Sequence, residues 1–573
     1  MSHDKLIDQP SHRSTLIHVI VVVTLLAIQA SLLGYAAAVH SPTHLEPAFV
    51  ASGISHWRTG GFELYRVNPP LPRMLATLPL LFINTQTDWK SFYDSPGARP
   101  EFGVGEDFVQ ANGPNTLHMI MLARWACIPL NLLGAFFAYK WSCELYGRSA
   151  GLATLVLFVF DPNLLAYGEL VTPDSAFVAF GILAGYTFWR WLQQPTWWRT
   201  LLAGTALGLA ELSKLSWLIL FPLFAVLWVA WRLWPPNGEL PTASTSADHR
   251  PTILKFSGII LLAVHLLNSG YAYDGFGTPL QNFDFVSVPW NENKPPGKAG
   301  NSFRSTCIGS LPIPLPRQYV IGLDCQRKDL QHFSGRSYLH GEWKEGGWWY
   351  YYLYACLVKE PCSTLILAAI ALMTLYCTRL GRNELPLVAT ALTLFIATSA
   401  CTEFSIHFRY VLPSIGLLHI FIGRVFFLLP SQKSICILLS ILICLSATES
   451  LSTYPHQLCF FNRVSGGPPN GHRHLIGSSL EWGQDLTFLA TRIRKLKVNG
   501  RVIVALPRRY DPDCLSLFPE NVEFDHSLAP ESFPADALVI RSRSLFPSIE
   551  STDSVDLGVL GTTWSVHRAS RER

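Results

Sequence analysis

The chain alternates long apolar runs with polar segments of unequal length. Leu16 to Val39 carries no charged residue, exceeds the about 20 residues that a spanning helix needs, and predicts a first membrane span. Similar runs recur near 118–139, 149–170, 173–193, 199–213, 215–234, 253–272, 350–377, 385–404, 408–429 and 433–452, giving eleven expected spans, of which 199–213 is the shortest. Ala36-Ala37-Ala38 imitates a signal-peptidase site, but the run before it is longer than the about 7–15 apolar residues of a signal peptide and reads as retained. The pattern changes after 453. Leu486 to Leu496 repeats with helical spacing, and Val502–Leu506 and Ala537–Ile540 are β-branched strand-like runs. The expectation is a polytopic α-helical membrane protein over residues 1–452, with a small C-terminal α/β extramembrane domain over 453–573.

Composition agrees. Only 15% of the 573 residues are Asp, Glu, Lys or Arg, against about 25% in soluble domains, which argues against an ordinary cytosolic enzyme and excludes a disordered chain. The net charge is +4 and forms no dense basic patch, so nucleic acid is not an expected partner. Lys and Arg favour short cytoplasmic loops. Lys5 and Arg13, then Lys140 and Arg148, Arg190 and Arg199, Arg232 and Arg250, Arg379 and Arg382, and Lys433 all fall on one side, so the N-terminus reads as cytoplasmic and the C-terminal domain as periplasmic. Residues 40–117 and 273–349 become large outer loops; 235–251 reads as a cytoplasmic linker. Of the twelve cysteines, Cys307 and Cys325 share one outer loop, and an oxidising compartment permits a disulfide between them.

Ionisable residues in or beside spans are costly and mark function by default. Glu46, Arg124, Glu169, Asp174, Glu211, Lys214, Lys359, Glu360, Glu403, His407 and Arg409 all gather on the outer side, which suggests a cleft for a polar, anionic substrate. Each also has a plainer reading: a lone Lys or Arg snorkels to the interface, Glu169 and Glu211 pair with such cations, and Asp174 after Pro173 starts a helix. His44, His56, His472 and His474 lack metal-ligand spacing, and no metal site is assigned.

These motifs, in this order, resemble the GT-C superfamily of membrane glycosyltransferases, particularly its protein O-mannosyltransferase and aminoarabinose lipid A transferase branch. The resemblance covers most of residues 15–430. It rests on Glu46 and Ala51 to Gly53, Asn68-Pro69-Pro70-Leu71, Tyr146 to Ala153, Pro173-Asp174, Gly204 to Lys214, Leu357 to Pro361 and Arg409-Tyr410-Val411-Leu412-Pro413. Where many members carry Asp-Glu, this chain has Leu45-Glu46. A tail segment, Glu481-Trp482-Gly483-Gln484-Asp485-Leu486, resembles an extension in bacterial relatives whose role is unassigned.

The resemblance implies transfer of a sugar from a polyprenyl-phosphate donor to a hydroxyl of a protein, lipid or glycan acceptor, with inversion, at the outer face of a bacterial inner membrane. Glu46 is then the expected general base, with Asp174 orienting the acceptor or sharing its charge. Arg409, Lys214, Lys359 and Arg124 are the expected ligands of the donor phosphate, and Asn68, His407 and Tyr410 the expected substrate contacts. This chemistry requires no cofactor, although a Glu/His site leaves room for a divalent metal. The rival readings are a transporter or flippase, a scaffold without activity, and a lipid-linked oligosaccharide ligase.

Overall fold

In the computed structural model the described residues are 12–234, 249–331, 336–401, 405–429, 432–498, 500–506, 510–526, 537–543 and 563–568. Most of the expected linker at 235–251, and Glu403, lie outside them. Seven described helices are long and apolar enough to cross a membrane, or eight if the pair Arg148–Val159 and Pro162–Gly168, bent by 56°, counts as one span. This is a polytopic helical membrane protein. Besides this bent run, three more of the eleven expected runs depart from a simple free-standing span. Asp174–Gln193 is buried on almost every side, so other helices, not lipid, form most of its surroundings. Trp197–Ser213 is 17 residues long. The run 350–377 breaks into Tyr351–Lys359 and Cys362–Cys377, because Pro361 supplies no N–H and pushes Glu360 into extended backbone (ψ 145°).

The bundle is organised around Leu412–Leu428, which packs against Asn115–Tyr146, Arg148–Val159, Asp174–Gln193, Cys362–Cys377 and Leu385–Cys401. The bend before Pro162 also has a local cause. Asp161 is an N-cap whose side chain accepts from the backbone N–H groups of Asn163 and Leu164, with Pro162 in the first helical position.

Over one end of the bundle the segment 40–114 folds into short helices, Glu46–Thr59, Leu71–Thr77 and Glu101–Asn112, with their own core of Phe49, Val50, Ile54, Leu80, Val104 and Phe108. The 273–349 loop adds the helix Arg317–Gln331 and a hairpin of Ser337–Leu339 with Glu342–Lys344. Cys307 and Cys325 are free thiols, Cys307 exposed and Cys325 buried. The expected bridge is therefore absent: sharing a loop does not bring the two side chains together, because Cys325 is turned into the loop's packed interior.

The tail has two parts. Residues 457–479 run as short 3₁₀ turns, and Leu458, Phe461, Leu475 and Leu480 join the core of the helical bundle itself. Beyond them, Leu486–Leu496 packs on a four-stranded sheet in the order Val522–Asp525, Val502–Ala505, Leu538–Ser542, Trp564–Arg568, parallel except at the last pairing. This is the expected small α/β unit.

Candidate functional site

Where the first loop, the bundle and the tail meet they enclose a cavity of about 900 Å³. Its wall includes Asn68, Arg99, Lys214, Asp329, His407, Arg409, Tyr410, Glu481 and Trp482. Helix ends supply its cations: Lys214 follows Trp197–Ser213, and Arg409 sits in the turn that opens Leu412–Leu428.

Asp174, buried behind this wall at the start of its helix, holds both cations. Lys214 Nζ donates to its Oδ1 at 2.9 Å, and Arg409 Nη1 lies 3.5 Å from its Oδ2. Two positive charges thus share one negative charge. Aromatic faces supplement the carboxylate: Lys214 Nζ lies 4.3 Å from the Phe177 ring centre and 4.9 Å from that of Tyr410, and the Arg409 guanidinium lies 4.4 Å over Trp482. The Arg409 Nε–H is buried without a hydrogen-bond partner. His407 shares a 2.7 Å hydrogen bond through Nδ1 with Ser478 Oγ. Burial first, and the charge of Arg409 second, hold its imidazole well below the ordinary value, so it presents a neutral ring.

Five expected site residues therefore come together in or directly behind one cavity wall: Lys214, Arg409, His407, Tyr410 and Asn68, with Asp174 as the sixth, behind the cations. Three others do not. Glu46 is fully buried and does not line the cavity. Its Oε1 accepts from Arg124 Nε and Val171 N, both at 2.8 Å, and its Oε2 from Arg124 Nη2 at 2.6 Å and Thr43 N at 2.7 Å. Burial alone would raise this carboxyl, but Arg124 and the two backbone N–H groups overcome it and hold the pKa below its ordinary value. Arg124 spends its remaining N–H groups on the carbonyls of Ala37, His40 and Ser41, leaving none for a phosphate. Lys359 donates to the carbonyls of Leu458 and Ser479 at 2.7 and 2.9 Å, away from the cavity. Glu169 and Glu211 pair with His40 and Tyr319, not with Lys214 or Arg409.

The tail supplies a carboxylate that the spans did not reveal. Glu481 lies in the cavity wall, accepting from Gly483 N at 2.5 Å and from Ser542 Oγ at 2.9 Å. Burial, and after it the charge of Asp485, push its carboxyl up to about 7. The motif is clamped to the first loop: Ser41 N donates to the Gln484 carbonyl and His44 N to that of Trp482, both at 3.0 Å, and Ser41 Oγ donates to the Gly483 carbonyl at 2.7 Å. Gly483 has φ +99°, and a Cβ there would lie 3.2 Å from the His44 ring; the close approach needs glycine. The tail motif was visible in the sequence, but only this pairing puts its first residue into the cavity.

Residues 107–269 match the family described as dolichyl-phosphate-mannose-protein mannosyltransferase. That stretch contains Asp174 and Lys214 but neither Arg409 nor Glu481. No curated protein sequence matches significantly. Among solved structures, the protein O-mannosyltransferase Pmt1–Pmt2 complex of S. cerevisiae, bound to the sugar donor, is similar over 77% of this chain and 89% of that one, at 10% identity and a TM-score of 0.50. ArnT from Cupriavidus metallidurans bound to undecaprenyl phosphate aligns over 97% and 98% at 13% identity and 0.46, and the oligosaccharyltransferase of Archaeoglobus fulgidus over 86% and 63% at 11% and 0.43. The chain thus matches the mannosyltransferase family over residues 107–269 and shares its fold with the yeast protein O-mannosyltransferase complex.

Proposed function

We propose that the protein transfers a sugar from a polyprenyl-phosphate donor to a hydroxyl acceptor at the outer face of the membrane, with inversion at the anomeric carbon. One observation carries this reading: Lys214 and Arg409 share the single carboxylate of Asp174 at the wall of a large cavity, two cations to one anion. Arginine suits such a ligand through its fork of donors, and lysine as a point charge. The family description names a lipid-phosphate sugar as the donor class, and a transporter or flippase gains no support from the family match or the fold.

In the step itself the acceptor oxygen bonds to the anomeric carbon while the bond from that carbon to the phosphate oxygen breaks and its electron pair leaves with the phosphate. The growing charge on the phosphate meets Lys214 and Arg409, which Asp174 holds in place before the reaction begins. The hydroxyl proton needs an acceptor within the cavity. Glu46 does not line it. We assign the proton to Glu481, with Glu46 the structural anchor of the first loop through Arg124. The acceptor can be protein, lipid or glycan. The test is transfer of labelled sugar from a polyprenyl-phosphate donor by reconstituted protein. Turnover by wild type and its loss in Lys214→Met and Arg409→Ala support the reading, and a wild type inert toward every such donor overturns it.

A further inference from the structure

A second buried group lies outside the cavity and takes no part in the proposed chemistry. Asp161 stands at the bend before Pro162–Gly168, Glu360 at the break after Tyr351–Lys359, and His419 within Leu412–Leu428. They are 2%, 1% and 0% exposed. One ligating atom from each lies within 4.8 Å of the others, and His419 Nε2 is 3.4 Å from Asp161 Oδ2.

Their hydrogen bonds account for only part of their capacity. Asp161 Oδ1 accepts from Asn163 N and Leu164 N at 2.9 and 2.7 Å, and Glu360 Oε1 accepts from Asn163 Nδ2 at 2.9 Å. Asp161 Oδ2, Glu360 Oε2, Asn163 Oδ1 and both ring nitrogens of His419 are buried with no hydrogen-bond partner. Buried polar atoms are rarely left so, and two adjoining buried carboxyls are costlier still unless a proton or a cation lies between them. The charge of the neighbouring Lys359 reaches Glu360, but its amine donates to two carbonyls and to neither carboxyl.

We propose that Asp161, Glu360 and His419 hold one divalent transition-metal ion, Zn²⁺ or Mn²⁺. One imidazole and two carboxylates form a mixed nitrogen and oxygen set suited to such ions and less to Ca²⁺ or Mg²⁺, which take oxygen alone. Bonds of about 2.0–2.2 Å draw the three ligands slightly closer than they now stand. The ion would staple the two helix breaks to Leu412–Leu428, whose opening turn carries Arg409. This is a structural role, independent of the proposed transfer reaction. Among the described residues a second buried group of this kind, His40, His456 and Asp485, differs in that its charges are already matched: His40 Nδ1 to Glu169 and His456 Nδ1 to Asp485, both at 2.9 Å.

The test uses full-length protein purified in detergent without chelator or metal-affinity resin. Elemental analysis should find one Zn or Mn per chain, lost in His419→Ala and Glu360→Gln. EDTA should lower the unfolding temperature of wild type, and added Zn²⁺ or Mn²⁺ should restore it. The proposal is overturned if wild type carries no stoichiometric metal and its unfolding temperature ignores EDTA, Zn²⁺ and Mn²⁺. Metal retained in folded His419→Ala overturns it too, as does a Glu360→Gln variant at least as stable as wild type, which is the behaviour of two carboxyls sharing a proton.

Discussion

Two glutamates separate the parts of this molecule that hold it together from the part that faces the cavity. Glu46 opens the first outer helix with every oxygen spoken for and a guanidinium locked onto both. Glu481 enters from the far end of the chain, held by a backbone N–H and a serine hydroxyl, in contact with open space. Both are buried, yet their acidities move in opposite directions: Glu46 below its ordinary value and Glu481 up to about 7. Burial pushes both upward, and at Glu46 the charge of Arg124 outweighs it. A carboxylate that is permanently charged and fully coordinated makes a good anchor and a poor proton acceptor. One poised near neutrality beside a cavity is the reverse.

The sharpest way to break this contrast is to remove each carboxyl in turn. Glu481→Gln should lower the transfer rate by about 10²–10⁴-fold, the usual worth of a general base, while folding and donor binding persist. Glu46→Gln should instead cost about 3–5 kcal/mol of stability, the effect of leaving Arg124 buried without its partner, read as a lower unfolding temperature; the protein that stays folded should still turn over. Arg409→Ala should reduce the rate by about 10²–10³-fold, as the loss of a donor to a developing oxyanion does, with Arg409→Lys recovering part of it. Gly483→Ala should cost about 1–3 kcal/mol through backbone strain at positive φ and should loosen the tail from the first loop, raising proteolysis after 480 without changing the bundle.

A smaller effect sharpens the same comparison through pH. The ordinary carboxyl value is 4.5 and that of folded Glu481 is about 7, so between these the folded chain keeps a proton that the unfolded chain has released. The stability linked to this group is therefore complete below about 4.5 and is lost as pH rises through about 7. Glu46 runs the other way: its contribution is present above the ordinary value and disappears as pH falls through its depressed one. Glu481→Gln should flatten the decline of unfolding temperature between pH 5 and 8, on the order of the shift itself, and leave the acid limb unchanged.

Much of this was legible in the sequence. The apolar runs announce the helical bundle, and the charges beside them include Lys214, Arg409, His407 and Asp174, which the structure gathers at or behind one cavity wall. The same rule also picks Arg124 and Lys359, which donate to carbonyls of segments distant in the chain. It also picks Glu46, whose two oxygens the structure shows held by Arg124, Thr43 and Val171. Partner identity is a property of the fold, and no spacing along the chain encodes it. Glu481 was hidden for the complementary reason: it follows the last span, and only the pairing of Gly483 and its neighbours with Ser41 and His44 turns it into the cavity.

The central claim is that the proton leaves through the tail and not through the first loop. The most direct test is the pH dependence of sugar transfer by wild type, Glu481→Gln and Glu46→Gln, measured side by side in one reconstituted system. The account predicts that the wild-type rate rises with pH through about 7 as Glu481 ionises, that Glu481→Gln loses both rate and limb, and that folded Glu46→Gln keeps the limb. A Glu481→Gln variant with the wild-type rate and profile, beside a stably folded Glu46→Gln without turnover, would contradict it.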